Sequence, residues 1–150
     1  MSNSAAKTFI SEKYGLFIAM GLVIFFFIMR VFGLLHVVEL RVLNVFVMVW
    51  GILTAIQSLR KYQPEHFTYF KGMGTGVLTG IIGSVVFGLF VFVYVSFIDP
   101  DLMLSIIKNE PMGRFLNPYI VSVIIAVEGI ASALLVSFII MNYLDPTKLE

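Results

Sequence analysis

The chain has 150 residues, of which 59% are hydrophobic and 13% are charged, and its mean hydropathy is +0.99. A soluble domain carries about 25% charged residues, so this chain has too little charge to cover a water-facing surface and must use lipid as its solvent for much of its length. The formal net charge of +1 implies no nucleic-acid partner. Because there is no cysteine, disulfides, thiolate metal sites and cysteine nucleophiles are excluded.

Four stretches are long and apolar enough to cross a bilayer, which takes about 20 helical residues. In chain order they cover residues 14–35, 40–59, 70–98 and 118–144. They are too long, and too irregular in their alternation, to be the strands of a membrane barrel. We therefore expect an all-α fold, a polytopic four-transmembrane-helix bundle that forms a single transmembrane domain over residues 1–150.

Two sequence steps predict helix ends. Asn117 followed by Pro118 is typical of an N-cap with proline at the first helical position of the fourth span. Asp99 and Pro100 end the third span, and the residues that follow predict a short interfacial helix over residues 102–108.

Lys and Arg are distributed unequally between the two sides of the predicted bundle. With the N-terminus inside, the inner side carries Lys7, Lys13, Arg60, Lys61, Lys71 and Lys148, and the outer side carries Lys108 and Arg114. Cytoplasmic loops are enriched in these residues, so both termini are predicted to be cytoplasmic.

Two helices carry a stripe of residues that predicts close packing. Small residues recur every four positions along the third span, at Gly72, Gly76, Gly80, Ser84 and Gly88. They allow two backbones to approach closely, and the partner is either a sister helix, a second copy of the chain or a lipid groove. On the second span one helix face, predicted to point into the bundle, carries Arg41, Asn44, Met48, Gly51, Ala55 and Ser58.

Glu128 is the most informative single residue, because it lies near the middle of the fourth span. An isolated carboxylate there costs several kcal/mol, so we expect it to be neutral, paired or facing water. Ser132 lies one turn further along the same face, and Arg30 and Arg41 are candidate partners. Three roles stay open: a buried ion pair or hydrogen bond that fixes the bundle, a proton- or cation-coupled transport site that also includes Asn44, and a catalytic role.

A second polar cluster lies at the outer ends of the first two spans and comprises Arg30, His36, Glu39, Arg41 and Asn44. It is either a set of interfacial anchors with a Glu39–arginine salt bridge, or a cationic pocket for an anionic headgroup formed by Arg30, His36, Glu39 and Arg41. His36 and Glu39 have the spacing of half a metal site, but the sequence offers no further ligands, so no metal and no cofactor are predicted.

Short motifs in this sequence resemble those of a family of small Bacteroidota membrane proteins catalogued as domain of unknown function 4199. The residues that carry the resemblance are Lys13, Tyr14 and Gly15 at the first span, Phe70, Lys71, Gly72, Gly76 and Gly80 in the third, and Phe97, Ile98, Asp99 and Pro100 at its end. The resemblance implies a four-helix fold in a bacterial cytoplasmic (inner) membrane and implies no activity.

Nucleophile elbows, Walker loops, zinc-protease motifs and dinucleotide fingerprints are absent from the sequence, so we do not expect an enzyme. The first functional expectation is a non-enzymatic accessory or interaction subunit that contacts membrane lipid and forms a homo-oligomer or binds another membrane protein. The alternative is a small transporter or lipid-carrier translocator that uses Glu128 and the outer arginines.

Overall fold

The structure, a computed structural model, describes residues 3–33 and 43–144. Within these ranges the chain is helical and contains no strand. The helices are α1 (Asn3–Val31), α2 (Leu43–Tyr62), α3 (Tyr69–Val93), α4 (Pro100–Asn109) and α5 (Pro118–Tyr143), with a π-helical turn at Tyr94–Ile98 and 3-10 turns at Pro64–His66 and Gly113–Phe115. The predicted all-α fold is confirmed.

Four of the helices are long and apolar enough to cross a membrane, as predicted, and the chain is a membrane protein. These spans are Lys7–Val31, Leu43–Tyr62, Tyr69–Ile98 and Pro118–Tyr143. The helices extend beyond two of the approximate span bounds, since α1 begins at Asn3, before residue 14, and α2 continues past residue 59 to Tyr62. Hydropathy locates the apolar segment, and the helical residues that precede it include Ile10, which packs against Ala55 and Leu59 of α2. The predicted ends at residues 35 and 40 lie outside the described residues.

Helix α3 occupies the centre of the bundle and packs most extensively against α5 and α1. Its small residues face α5 in an antiparallel register, in which each step of four along α3 is matched by a step of four back along α5. A methyl group added at Gly80 would meet Ala133, and one added at Gly76 would meet Ser137. The same register places Gly72 against Met141, Ser84 against Gly129 and Gly88 against Ser122 and Ala126. The described partner of this stripe is therefore a helix of the same chain.

On the face of α2 that was predicted to point inward, Met48, Gly51 and Ala55 are buried, and Asn44 and Ser58 are half-buried. Gly51 lies directly against Ile18 of α1, where a larger side chain would collide. The opposite face exposes Phe46 and Trp50, which suits contact with lipid.

The short helix α4 covers the end of the bundle that α1 and α3 reach at their C-termini. Asp99 caps it, since its side chain accepts a hydrogen bond from the Leu102 backbone N–H at 3.1 Å, and Pro100 occupies the first turn. Leu102 and Met103 are buried against the bundle, while Asp101 is exposed. The helix predicted over residues 102–108 is therefore present, with two extra residues at its start and one at its end. Its amphipathic face closes the space between the longer helices.

Candidate functional site

A cavity of about 190 Å³ lies between the four long helices, in the half of the bundle that α4 covers. Its walls come from every described long helix and from α4. The lining residues are Leu22, Phe25, Phe26 and Met29 of α1, Asn44, Val45 and Met48 of α2, Ser84, Phe87, Val91 and Val95 of α3, Leu102 and Ile106 of α4, and Val121, Ile125, Glu128, Gly129 and Ser132 of α5. Most of the wall is apolar, and the polar side chains are Asn44, Ser84, Glu128 and Ser132.

Glu128 lines the cavity and is also exposed, so it stands at the mouth rather than at the back. At 1.5 Å rise per residue it lies roughly 15 Å along α5 from Pro118 and roughly 22 Å from Tyr143. It is therefore near the middle of a membrane span, as predicted. Within residues 3–33 and 43–144 no ion pair to Glu128 is present. It is the only formally charged side chain among the described residues of the cavity wall.

The serine one turn beyond Glu128 does not hold its carboxylate. The Ser132 hydroxyl donates to the backbone carbonyl oxygen of Glu128 at 2.9 Å, which is the usual bond of a serine inside a membrane helix. The Glu128 side chain is thus left for another partner, although Ser132 shares the cavity with it.

Two further polar groups of the cavity have no hydrogen-bond partner among the described residues. Asn44 Oδ1 and Ser84 Oγ are buried and unpartnered, and Ser84 is only 2% exposed. A buried polar atom without a partner costs about 1–3 kcal/mol, so such atoms normally contact water or a ligand. The cavity therefore combines one carboxylate with two unsatisfied polar atoms.

An aromatic cluster between α1 and α3 includes two residues of the cavity wall, Phe26 and Phe87. The ring of Phe26 contacts Tyr94 edge to face at a centroid distance of 5.0 Å, and it contacts Phe90 in the same way at 5.6 Å. Phe87 stacks on Phe90 at 6.2 Å. Such pairs add about 0.5–1.5 kcal/mol each beyond the area they bury, so this cluster stabilises the contact between α1 and α3.

Arg30 is not part of this site, which corrects its prediction as the partner of Glu128. Its guanidinium donates to the carboxylate of Asp99. The reason is geometric: Arg30 lies in the last turn of α1, next to the π-helical turn and the start of α4, whereas Glu128 lies near the middle of α5. The pair joins α1 to the N-cap of α4.

The other members of the predicted outer cluster, His36, Glu39 and Arg41, lie outside the described residues. The headgroup pocket and the Glu39–arginine salt bridge are therefore predictions that the structure does not test. Asn44, which belongs to both predicted sites, lies in the cavity with Glu128.

Two contributors to the site were not predicted from the sequence. Ser84 was assigned only to the small-residue stripe, yet it also lines the cavity, and its hydroxyl lies directly against Gly129 of α5. The aromatic cluster was not predicted either, although Phe87, Phe90 and Tyr94 are spaced three and four apart and so share one face of the third span.

The described residues contain no group of three or more His, Cys, Asp or Glu side chains that could hold a metal ion. No curated protein and no solved structure matches the chain. Residues 13–111 match the family described as "Protein of unknown function (DUF4199)". This segment covers α2, α3, α4 and most of α1, and it ends before α5 and Glu128. Because the match spans more than half of the chain, the protein belongs to this family of unknown function.

Proposed function

We propose that this protein binds a small amphiphilic molecule within the membrane and acts, without catalysing a reaction, as a small transporter or lipid carrier. The observation that carries the proposal is the cavity of about 190 Å³, in which Glu128, Asn44 and Ser84 interrupt an otherwise apolar wall. Apolar walls with a few convergent polar groups are typical of small-molecule sites. An ionisable residue inside a membrane span is likewise a functional-site hypothesis by default.

The proposed location is the bacterial cytoplasmic membrane with both termini in the cytoplasm. The excess of Lys and Arg near the ends joined by the Pro64–His66 turn supports this orientation. With that orientation, the cavity lies in the outer half of the bilayer and α4 lies at the periplasmic surface.

The test uses the methionine methyl groups of the protein itself as reporters. Met29 and Met48 line the cavity, whereas Met20 is 52% exposed on the outer surface of α1. With methyl-labelled methionine in an uncharged detergent, benzyl alcohol should shift the methyl resonances of Met29 and Met48 in a saturable way. Met20 reports the non-saturating effect of the alcohol dissolved in the micelle.

Two matched variants locate the binding. Ile125→Trp places a large ring in the cavity, and Ile124→Trp places the same ring on the exposed face one residue earlier. Saturable shifts should disappear in Ile125→Trp and persist in Ile124→Trp. Shifts that persist in both variants, or that follow Met20 in the unmodified protein, would contradict the proposal.

The second candidate is an accessory or interaction subunit that forms a homo-oligomer or binds another membrane protein. The observation that favours it is the exposure of α5, of which only 17% of the most apolar window is buried, against 28–39% for the other spans. Val127, Leu135 and Ile139 are exposed on this helix and contact either lipid or another helix. If the cavity binds no amphiphile in the methionine experiment, this becomes the better-supported function.

A further inference from the structure

We propose that the ligand of the cavity is a small organic cation, with an ammonium group on a short aromatic or aliphatic body. The inference rests on the proposed ligand-binding function and adds the chemical class of the ligand. It follows from which atoms of the wall lack a partner, from the sign of the charge at the mouth and from the shape of the apolar surface.

The polar atoms of the cavity favour a ligand that supplies hydrogen-bond donors. Asn44 Oδ1 can only accept hydrogen bonds, the Ser84 hydroxyl can accept as well as donate, and an ionised Glu128 side chain only accepts. An ammonium group brings three donors and one positive charge. A carboxylate or phosphate ligand would bring further acceptors and would be repelled by the charge of Glu128.

The rest of the wall suits the body of such a cation. Phe25, Phe26 and Phe87 line the cavity, and aromatic faces attract a cation that lies within about 6 Å of the ring centroid. A cavity of about 150 Å³ in another protein holds benzene. A volume of about 190 Å³ therefore fits a benzene ring with a one-carbon ammonium substituent.

Three compounds of nearly equal size separate charge from shape: benzylammonium, benzyl alcohol and benzoate. Each is titrated into the methionine-labelled protein, with the Met29 and Met48 methyl groups as the reporters. Benzylammonium is expected to bind about 10-fold more tightly than benzyl alcohol, because hydrogen bonds to a charged partner are roughly twice as strong as neutral ones. Benzoate is expected to bind most weakly.

Two variants remove the proposed contacts, and a third serves as the control. Glu128→Gln should remove the preference for the amine, so that benzylammonium binds this variant no more tightly than benzyl alcohol does. Ser84→Ala should weaken benzylammonium about 2- to 5-fold. Glu65→Gln removes the same charge from the exposed Pro64–His66 turn and should change nothing. Thermal unfolding of each variant in the same detergent shows whether it is folded.

The outcomes separate this inference from the function on which it rests. Equal binding of the amine and the alcohol, tighter binding of benzoate, or a preference for the amine that survives in folded Glu128→Gln would overturn the cationic ligand class while leaving the binding function intact. Absence of saturable shifts at Met29 and Met48 with all three compounds would overturn both.

Discussion

The contact between Gly80 of α3 and Ala133 of α5 gives the sharpest test of how the bundle is built. Both residues are fully buried, and a methyl group added at Gly80 would collide with the Ala133 methyl group. Gly80→Ala should therefore force the two helices apart along the length of their shared small-residue face. Gly74→Ala is the matched control, since its added methyl group would meet only the flexible end of Lys7, with Nζ at 2.8 Å.

Both substitutions make the same change of intrinsic helix propensity, so their difference isolates the collision. Overpacking a well-packed site costs about 1–3 kcal/mol, and we expect Gly80→Ala to be less stable than Gly74→Ala by that amount. The free energy of unfolding is measured in mixed micelles by titrating an uncharged detergent with dodecyl sulfate and following helix content by circular dichroism.

A compensating change identifies the partner helix. Ala133→Gly removes the opposing methyl group, so the double variant Gly80→Ala with Ala133→Gly moves the methyl group from one helix to the other. We expect the double variant to recover about 1–2 kcal/mol relative to the sum of the single variants. A coupling energy below about 0.5 kcal/mol, or equal stabilities of Gly80→Ala and Gly74→Ala, would refute the α3–α5 register.

Two further predictions concern the outer end of the bundle and the orientation of the chain. Asp99→Asn keeps a capping side chain but loses the ion pair with Arg30. In the same unfolding assay it should lower the free energy of unfolding by about 0.2–1 kcal/mol, the same as Arg30→Gln, because the Arg30 side chain is 43% exposed. Asp99→Ala should cost about 1 kcal/mol more, and equal losses for Asp99→Asn and Asp99→Ala would show that the cap contributes nothing. Because the chain has no cysteine, Lys108→Cys and Glu65→Cys each provide a single thiol, and an impermeant maleimide applied to intact spheroplasts should label only Lys108→Cys; labelling of Glu65→Cys instead would reverse the proposed topology.

The helices could be predicted from the sequence because the bilayer imposes a length and a composition that each span must meet alone. The N-caps at Asp99 and Asn117 could also be predicted, because a cap depends on neighbouring residues only. Asn117 accepts a hydrogen bond from the Ile120 backbone N–H at 2.8 Å, as an N-cap residue does. The start of α1 could not be predicted in this way. The residues near this start include Ile10, which packs against α2, and the composition of the sequence does not show such a contact. Errors in the helix ends therefore arose where packing, rather than hydropathy, decides the boundary.

The candidate site was predictable in its charge but not in its geometry. Glu128 was conspicuous because a carboxylate within a span has few acceptable environments, and Asn44 shared the inward face of α2. The sequence could not show that Arg30 is engaged elsewhere, since the pairing with Asp99 depends on where the π-helical turn places the end of α3. Nor could it show that Ser84 faces a cavity, which depends on the glycine opposite it on α5.

The cavity itself follows from a change in side-chain size along the helices. Toward the cytoplasmic end of the proposed topology, glycines such as Gly76 and Gly80 bring α3 against α5 and leave no space between them. From Ser84 onward the same face of α3 carries Phe87 and Val91, and large rings at Phe25 and Phe26 oppose it from α1. Gly88 continues the small-residue contact with Ser122 and Ala126 of α5, while Phe87 and Val91 line a space that the rings of α1 do not fill. Glu128 and Gly129 lie beside this space, between the α3–α5 contacts at Gly80 and at Gly88. This position explains how a carboxylate near mid-membrane depth borders an internal space, and it makes the ligand of that space the first question for this protein.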